Sequence, residues 1–303
     1  MSAELSISLI VPATDDPPTL RRCLDALEAQ AREGDEVIVV TEPVTAGPAA
    51  ARNLGAARAS GDALVFVDAD VVVGPRALAR LREAIGAPAV DAVFGAYDVA
   101  PAAPGVVSRF RNLLHHHVHA SSPGRAETFW AGLGAVRRET FERSGGFDAD
   151  RYPRASIEDI ELGTRLVAAG ARIELRPDIQ GTHLKAWTLR SFLATDLFRR
   201  GMPWVALMRR DGSASGALNL GGRHRLSAAA SVAAAAALAA RRPRAALTAL
   251  GLQILAERRL YSLLLNRGGP RLVLAGIGLH LLHNLAAACS VPLGLLEARR
   301  EAP

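Results

Sequence analysis

Two hydrophobic periods alternate along the first half of the chain. Runs rich in β-branched and aromatic residues, Leu5–Val11, Glu36–Val40, Ala63–Val67 and Val90–Ala96, read as short buried strands. Between them, Pro18–Arg32, Ala49–Ala59 and Pro75–Ile85 space their apolar residues as helices do, with Leu20, Cys23, Leu24 and Leu27 on one face of the first. Pro75 opens the third helix, where its missing N–H costs nothing. This alternation predicts an α/β fold with a mostly parallel sheet covered on both faces. The pattern then continues as a strand over Phe129–Arg137, a helix over Arg138–Ser144 stopped by Gly145-Gly146, a helix over Ser156–Ala169 capped by Gly170, and a strand over Ala171–Arg176. Residues 101–125 carry no clear period and predict a loop or an interface helix. His115, His116, His117 and His119 lie there, but adjacent positions on a helix point in different directions and make poor shared metal ligands.

After Leu184 the character changes. Leu189–Arg200 reads as an amphipathic helix with a basic end, and three apolar segments follow at 226–240, 245–256 and 272–296. The third, about 25 residues, is long enough to cross a bilayer core of ~30 Å; the first two are short for that. A hairpin through them would carry Arg241, Arg242 and Arg244 to the far side, against the positive-inside preference. An interfacial or re-entrant helix pair avoids this, and Glu257–Arg267 suits a helix whose arginines reach headgroups. A soluble helical subdomain is the alternative. The expected organisation is therefore an α/β domain over 1–200 and a helical, membrane-associated region over 201–303.

Charge distribution supports the same division. From Arg199 onward there are 15 arginines against 4 acids, whereas the preceding residues hold 21 basic and 26 acidic side chains. Mean hydropathy is +0.15. A basic, apolar carboxyl-terminal part on a mildly acidic body points to a membrane surface. Nucleic acid is not an expected partner, because aromatic residues make up only 5% and no nucleic-acid motif occurs. Cys23 and Cys289 form neither a disulfide framework nor a zinc spacing. A strand that begins almost at once leaves no room for a secretory leader, so the expected location is the cell membrane, with the first domain on the cytoplasmic side.

The most informative residues are Asp68-Ala69-Asp70, directly after the apolar run Ala63–Val67. Two carboxylates at the carboxyl end of a buried strand need a positive partner, and that end is where open α/β sheets bind ligands. Mg²⁺ or Mn²⁺ carrying a diphosphate meets this need, because both take hard oxygen ligands.

Further motifs keep company with this pair: Ile7–Ala13, Gly47–Gly55 (with Arg52-Asn53), Ser60-Gly61-Asp62, Gly145-Gly146-Phe147-Asp148 and Glu158-Asp159-Ile160-Glu161-Leu162-Gly163. In order and spacing they resemble family 2 glycosyltransferases, which have the nucleotide-diphospho-sugar GT-A fold. The resemblance covers roughly residues 5–200. It implies an inverting transfer of a sugar from a nucleotide-diphospho-sugar to a hydroxyl acceptor, which the apolar tail suggests is a lipid-linked or cell-envelope glycan. Pro12, Ala13, Thr14 and Asp15, with Glu42, would hold base and ribose. The family usually has an acidic pair and a serine where this chain has Thr41-Glu42-Pro43; Glu42 can still accept from a base N–H or a hydroxyl, with a solvated loop carboxylate as the lesser alternative. Asn53 either contacts the donor or ties loops together. By the same resemblance Asp68 faces the ribose or a metal-bound water, Asp70 binds the metal, and His183 stands near the metal and diphosphate. One of Glu158 and Asp159, with Asp159 preferred, removes the acceptor proton; both gain from the amino-terminal end of a helix. Trp130 and Gly132 lie beside sugar and acceptor, although Trp130 could equally be core. The Gln-x-x-Arg-Trp motif of processive synthases is absent; Asp196–Gly201 stands at its approximate place. Two alternatives differ in class. A nucleotidyltransferase of similar fold would want a basic, glycine-rich loop where Thr14–Pro18 is acidic, and a degenerate membrane scaffold would have no need of Asp70 and Asp159.

Overall fold

The structure is a computed structural model and describes residues 5–211, 218 and 221–301. Strands β1 (Ile7–Pro12), β2 (Glu36–Val40), β3 (Ala63–Val67), β4 (Val71–Val73), β5 (Ala92–Tyr97), β6 (Gly124–Ala126), β7 (Leu133–Arg137) and β8 (Ile173–His183) join one sheet. Their order is β2-β1-β3-β7-β5-β8-β4, with β6 paired to β8. Strands β1, β2, β3, β5 and β8 run in one direction; β7 opposes its neighbours β3 and β5, and β4 and β6 oppose β8. The α/β, mostly parallel sheet expected from the alternation is therefore present, with antiparallel strands inserted. Helices α1 (Leu20–Glu28), α2 (Pro48–Arg58), α3 (Ala77–Gly86), α4 (Val106–Ala120), α5 (Arg138–Arg143) and α6 (Glu158–Ala168) follow in chain order.

The sheet's residues explain its burial. Every residue of β3 and of β5 is buried, as expected of strands covered on both faces. Phe66 meets Phe141 and Phe147 at centroid distances of 5.4 and 5.2 Å, fastening the β7–α5 segment to the central strand. The Ser60-Gly61-Asp62 turn is structural. Glu36 on β2 accepts from the hydroxyls of Ser8 (2.6 Å) and Ser60 (2.8 Å) and from the backbone N–H groups of Ser60 and Gly61. These bonds, that from Ser8 first, hold the Glu36 carboxyl down at about 2.

The residues form two compact units, one within 1–102 and 119–185, the other within 103–118 and 186–303. The division falls at Lys185, not at residue 200 as expected, and residues 103–118 join the second unit. Packing gives the reason: Phe110, in the stretch without a clear period, is fully buried and packs edge-on against Phe192 at 6.1 Å. That stretch is mostly helix, Val106–Ala120, so of the two expected readings, loop or interface helix, it takes the helical one. The strand expected over Phe129–Arg137 begins only at Leu133, with one further bond to β3 from Asp68 N to Gly132 O at 3.2 Å. The strand expected to end at Arg176 continues to His183.

In the second unit, α7 (Leu189–Ala194) runs into a π-helix at Thr195–Gly201, then α8 (Met202–Asp211), α9 (Gly222–Ala239), α10 (Pro243–Ala256) and α11 (Arg258–Glu301). The expected apolar segments fall on α9, α10 and the second part of α11. Helix α11 breaks at Gly269 (φ 67°), just before Pro270. Its polar residues form one internal stripe: His280 meets the Tyr261 hydroxyl at 3.0 Å, Asn284 donates to Ser227 and Ser231, and His283 meets Asp196 at 2.7 Å. Asp196 also pairs with Arg111 at 2.7 Å. Leu274, Leu295 and Leu296 on the same helix are exposed, as are Leu247 and Leu255 on α10.

Candidate active site

Asp68, Ala69 and Asp70 form the turn between β3 and β4. The strand end explains their exposure: β3 delivers them from the buried interior to the rim, where Asp68 and Asp70 are half-buried and Ala69 is buried. Pairing of β4 with β8 places His183 opposite Val71, and Leu184 N donates to Asp70 O at 2.8 Å. His183 Nε2 then stands 3.3 Å from Asp70 Oδ2. The structure thus joins two residues that lie far apart in sequence.

The opposite side of the rim is the amino terminus of α6. Asp159 Oδ2 accepts from Ala131 N at 3.2 Å, and its Oδ1 accepts from Ile160 N at 2.8 Å. Glu158 is turned inward: it accepts from Ser156 N and pairs with Arg52 at 2.8 Å, and its side chain is 6% exposed. Arg52, on α2, uses its other terminal nitrogen on Asp68 at 2.6 Å. One buried guanidinium therefore fastens the Asp-x-Asp turn to the start of α6. A second tie runs through the segment before β7, where Gly132 O accepts from Asp68 N and Ala131 N donates to Asp159. Gly163 lets α6 approach: a Cβ there would strike the backbone of Thr128 and Phe129.

The charges follow from this geometry. Burial pushes the Asp68 carboxyl up and the Asp70 charge adds to it, outweighing Arg52. Burial acts on Asp70 as well, yet the His183 hydrogen bond and charge, with Lys185, hold its carboxyl below the ordinary range. Asp70 therefore remains an ionised oxygen donor beside an imidazole. Two donors each about 2.1 Å from one Mg²⁺ or Mn²⁺, at right angles, stand about 3 Å apart, so the pair fits such an ion. Among the described residues no group of three or more His, Cys, Asp or Glu side chains could hold a metal. Substrate oxygens and water would have to complete the coordination, as is common for these ions. The Cys23 thiol is pushed up to about 12 by burial and by Asp68 and Asp70.

Other expected residues distribute as follows. Pro12 ends β1 and Ala13, Thr14 and Asp15 follow it; Ala13 N donates to Val40 O, and Thr14 Oγ1 donates to Ala46 O at 2.7 Å, so the loops after β1 and β2 lie side by side. Asp15 and Glu42 are exposed. Asn53 is a tie between loops: its amide donates to Phe147 O at 2.8 Å and accepts from Phe147 N at 2.9 Å. Of the two roles its position allowed, these bonds are those of the loop tie, with both ends of the amide on one backbone position. Trp130 is 6% exposed within a cluster of rings, and Gly132 makes room for its indole. His117 meets Glu257 and His119 meets the Gly95 carbonyl, so the histidine run does not converge. A concavity of about 460 Å³ opens beside Gly145–Asp150; none of the carboxylates of the rim lines it. Two site residues received no role from the sequence. Arg52 reads there only as part of the Gly47–Gly55 motif, and Tyr97 lies one position beyond the strand expected over Val90–Ala96, whereas β5 includes it.

Comparison with known proteins agrees with this arrangement. Residues 39–144 match the family described as Glycosyl transferase family 2. It is 26% identical over 220 residues to the pre-mycofactocin glycosyltransferase of Mycobacterium tuberculosis, an alignment covering 64% of this chain and 46% of that protein. It is 31% identical over 211 residues to the O-antigen biosynthesis protein RfbC of Myxococcus xanthus, covering 55% of this chain and 16% of that protein. The chain thus spans less than half the length of these relatives. Among solved structures, it resembles the mannosyltransferase PcManGT from Pyrobaculum calidifontis, in complex with GDP-Man and Mn²⁺, with TM-score 0.55 and 18% identity over 100% of this chain and 89% of that one. GalNAc-T7 with UDP, GalNAc and Mn²⁺ superposes with TM-score 0.50 at 16% identity, covering 69% of this chain and 48% of that one. These likenesses establish the GT-A fold.

Proposed function

We propose that the chain transfers a sugar from a nucleotide-diphospho-sugar to an acceptor hydroxyl with inversion at the anomeric carbon. The observation that carries this reading is the shared rim: Arg52 and the Gly132–Ala131 backbone hold Asp68 and Asp159 on one edge of the sheet. Asp70 and His183 would hold Mg²⁺ or Mn²⁺, and Asp68 would face the ribose or a water of that ion. When bound, the ion neutralises the diphosphate and makes it a better leaving group. The loops after β1 and β2, with Asp15 and Glu42, would hold base and ribose. Asp159 is the preferred base, because Glu158 is already committed to Arg52. Backbone N–H groups hold the Asp159 carboxylate in place, and it takes the acceptor proton as the hydroxyl attacks from the face opposite the diphosphate. General-base help of this kind contributes roughly 10²–10⁴-fold.

The test is turnover with a panel of GDP-, UDP- and dTDP-sugars. Activity is expected with Mn²⁺ or Mg²⁺, loss with EDTA, and recovery when the ion is restored. Failure of every donor to bind in the presence of Mn²⁺ would favour the degenerate scaffold.

The second unit supports a membrane partner and a lipid-linked or envelope-glycan acceptor. Helix Arg258–Arg300 is the one segment among the described residues long and apolar enough to cross a membrane, and only 28% of its most apolar window is buried. Arginines 241, 242 and 244 flank the α9–α10 connection, where anionic headgroups would meet them. The full chain is expected to float with anionic vesicles and to resist carbonate extraction. Quantitative release by carbonate would limit the attachment to surface charge.

A further inference from the structure

We propose that Tyr97 is a positioning residue for His183: its ring, stacked flat on the imidazole, fixes the plane in which Nε2 meets Asp70. The inference rests on the metal reading above, in which Asp70 and His183 share one divalent ion. The two rings lie 4.3 Å apart with an interplanar angle of 10°. Trp130 stands edge-on behind Tyr97 at 4.9 Å and 88°. His119 packs edge-on against Trp130 in turn, and Phe94 against His119. A column of rings therefore runs from the sheet interior to the imidazole, and Trp130 acts within it as a buttress.

The sheet register creates this contact. Tyr97 pairs with Gly181, and His183 lies two residues further along β8 on the same face. A Cβ at Gly181 would strike Val71 and crowd Leu133, so glycine lets the neighbouring strands close in here while the phenol lies over the imidazole. The pairing is shifted just before this point: Phe94 faces Leu175, yet Ala96 faces Gln180. Four residues of β8 thus answer one of β5. Gly95 permits the shift, because a Cβ there would run into the Ile179 carbonyl. A regular register would set Tyr97 opposite Asp178, five residues short of His183. A metal ligand performs best when its ring orientation is fixed by neighbours, and such neighbours matter to affinity nearly as much as the ligand itself. Here the neighbour is a stacked ring, a role that needs the ring and not its hydroxyl.

The test uses the full chain and Mn²⁺ alone, followed by electron paramagnetic resonance. Free-ion signal measures affinity, and nitrogen modulation of the spin echo reports imidazole bound to the metal. Wild type and Tyr97→Phe are expected to match in both. Tyr97→Leu is expected to bind Mn²⁺ on the order of ten-fold more weakly, with reduced nitrogen modulation and an intact fold by circular dichroism. Tyr97→Met, flexible and of similar bulk, replaces the leucine variant if the latter does not fold. A folded Leu or Met variant with wild-type affinity and full nitrogen modulation overturns the proposal. His183→Ala separates the two failures. If it loses the nitrogen signal while the Tyr97 variants keep theirs, only the role of Tyr97 falls. If it changes neither reading, the metal assignment itself is wrong.

Discussion

Asp159→Asn is expected to cut turnover by roughly 10²–10⁴-fold while leaving donor binding in place. The amide keeps the shape of the carboxylate and can still accept from Ala131 N, so the rim should keep its geometry. It cannot take a proton. A base lost in this way lowers kcat and kcat/KM together and leaves the donor's dissociation constant unchanged. Glu158→Gln separates the two acids. Glu158 lies behind the rim, paired to Arg52, so its neutral replacement should weaken the fold more than it removes base catalysis. Full activity in Asp159→Asn, measured with a donor that wild type uses, would move the base elsewhere.

The largest stability effect is expected at Arg52. Arg52→Met leaves the Asp68 and Glu158 carboxylates facing one another without a cation. Removing one partner of a buried ionic group typically costs 3–5 kcal/mol. The lower end, about 3 kcal/mol, is expected here, because the Asp68 side chain is 32% exposed and keeps some water. Arg52→Lys should recover only part of this, since an ammonium is a point charge and cannot reach both carboxylates as the planar fork does. Urea unfolding of the three proteins checks the order; equal midpoints for wild type and Arg52→Met would show that the bridge carries no net stability. Burial would lower the Arg52 pKa, but Asp68, Glu158 and Asp159 outweigh it and raise it further. The guanidinium therefore stays charged at every pH where the domain would work.

Much of this arrangement was legible before any coordinates. The apolar run ending in Asp68-Ala69-Asp70 marked β3 to the residue, because a strand buried on both faces shows a continuous apolar stretch with an abrupt polar stop. The acids at 158 and 159 marked the start of α6 by the usual preference of acids for a helix amino terminus. The reversed direction of β7 and the extension of β8 to His183 were not legible. Strand direction depends on which neighbour a segment meets, and β8 alternates weakly over Arg176–Gln180, where its register with β5 slips.

The sequence by itself determined most of the elements, the placing of the carboxylates Asp68, Asp70, Glu158 and Asp159 at a strand end and a helix start, and the contrast between an acidic α/β body and a basic, apolar helical part. Those are local matters of periodicity, charge and strand ends. Only the tertiary structure decided that Asp159 is the acid left facing the rim, that Asn53 serves a turn, and that Tyr97 reaches His183. Each depends on partners between 86 and 106 positions apart, such as Arg52 with Glu158, which meet only when the strands pair and the helices pack.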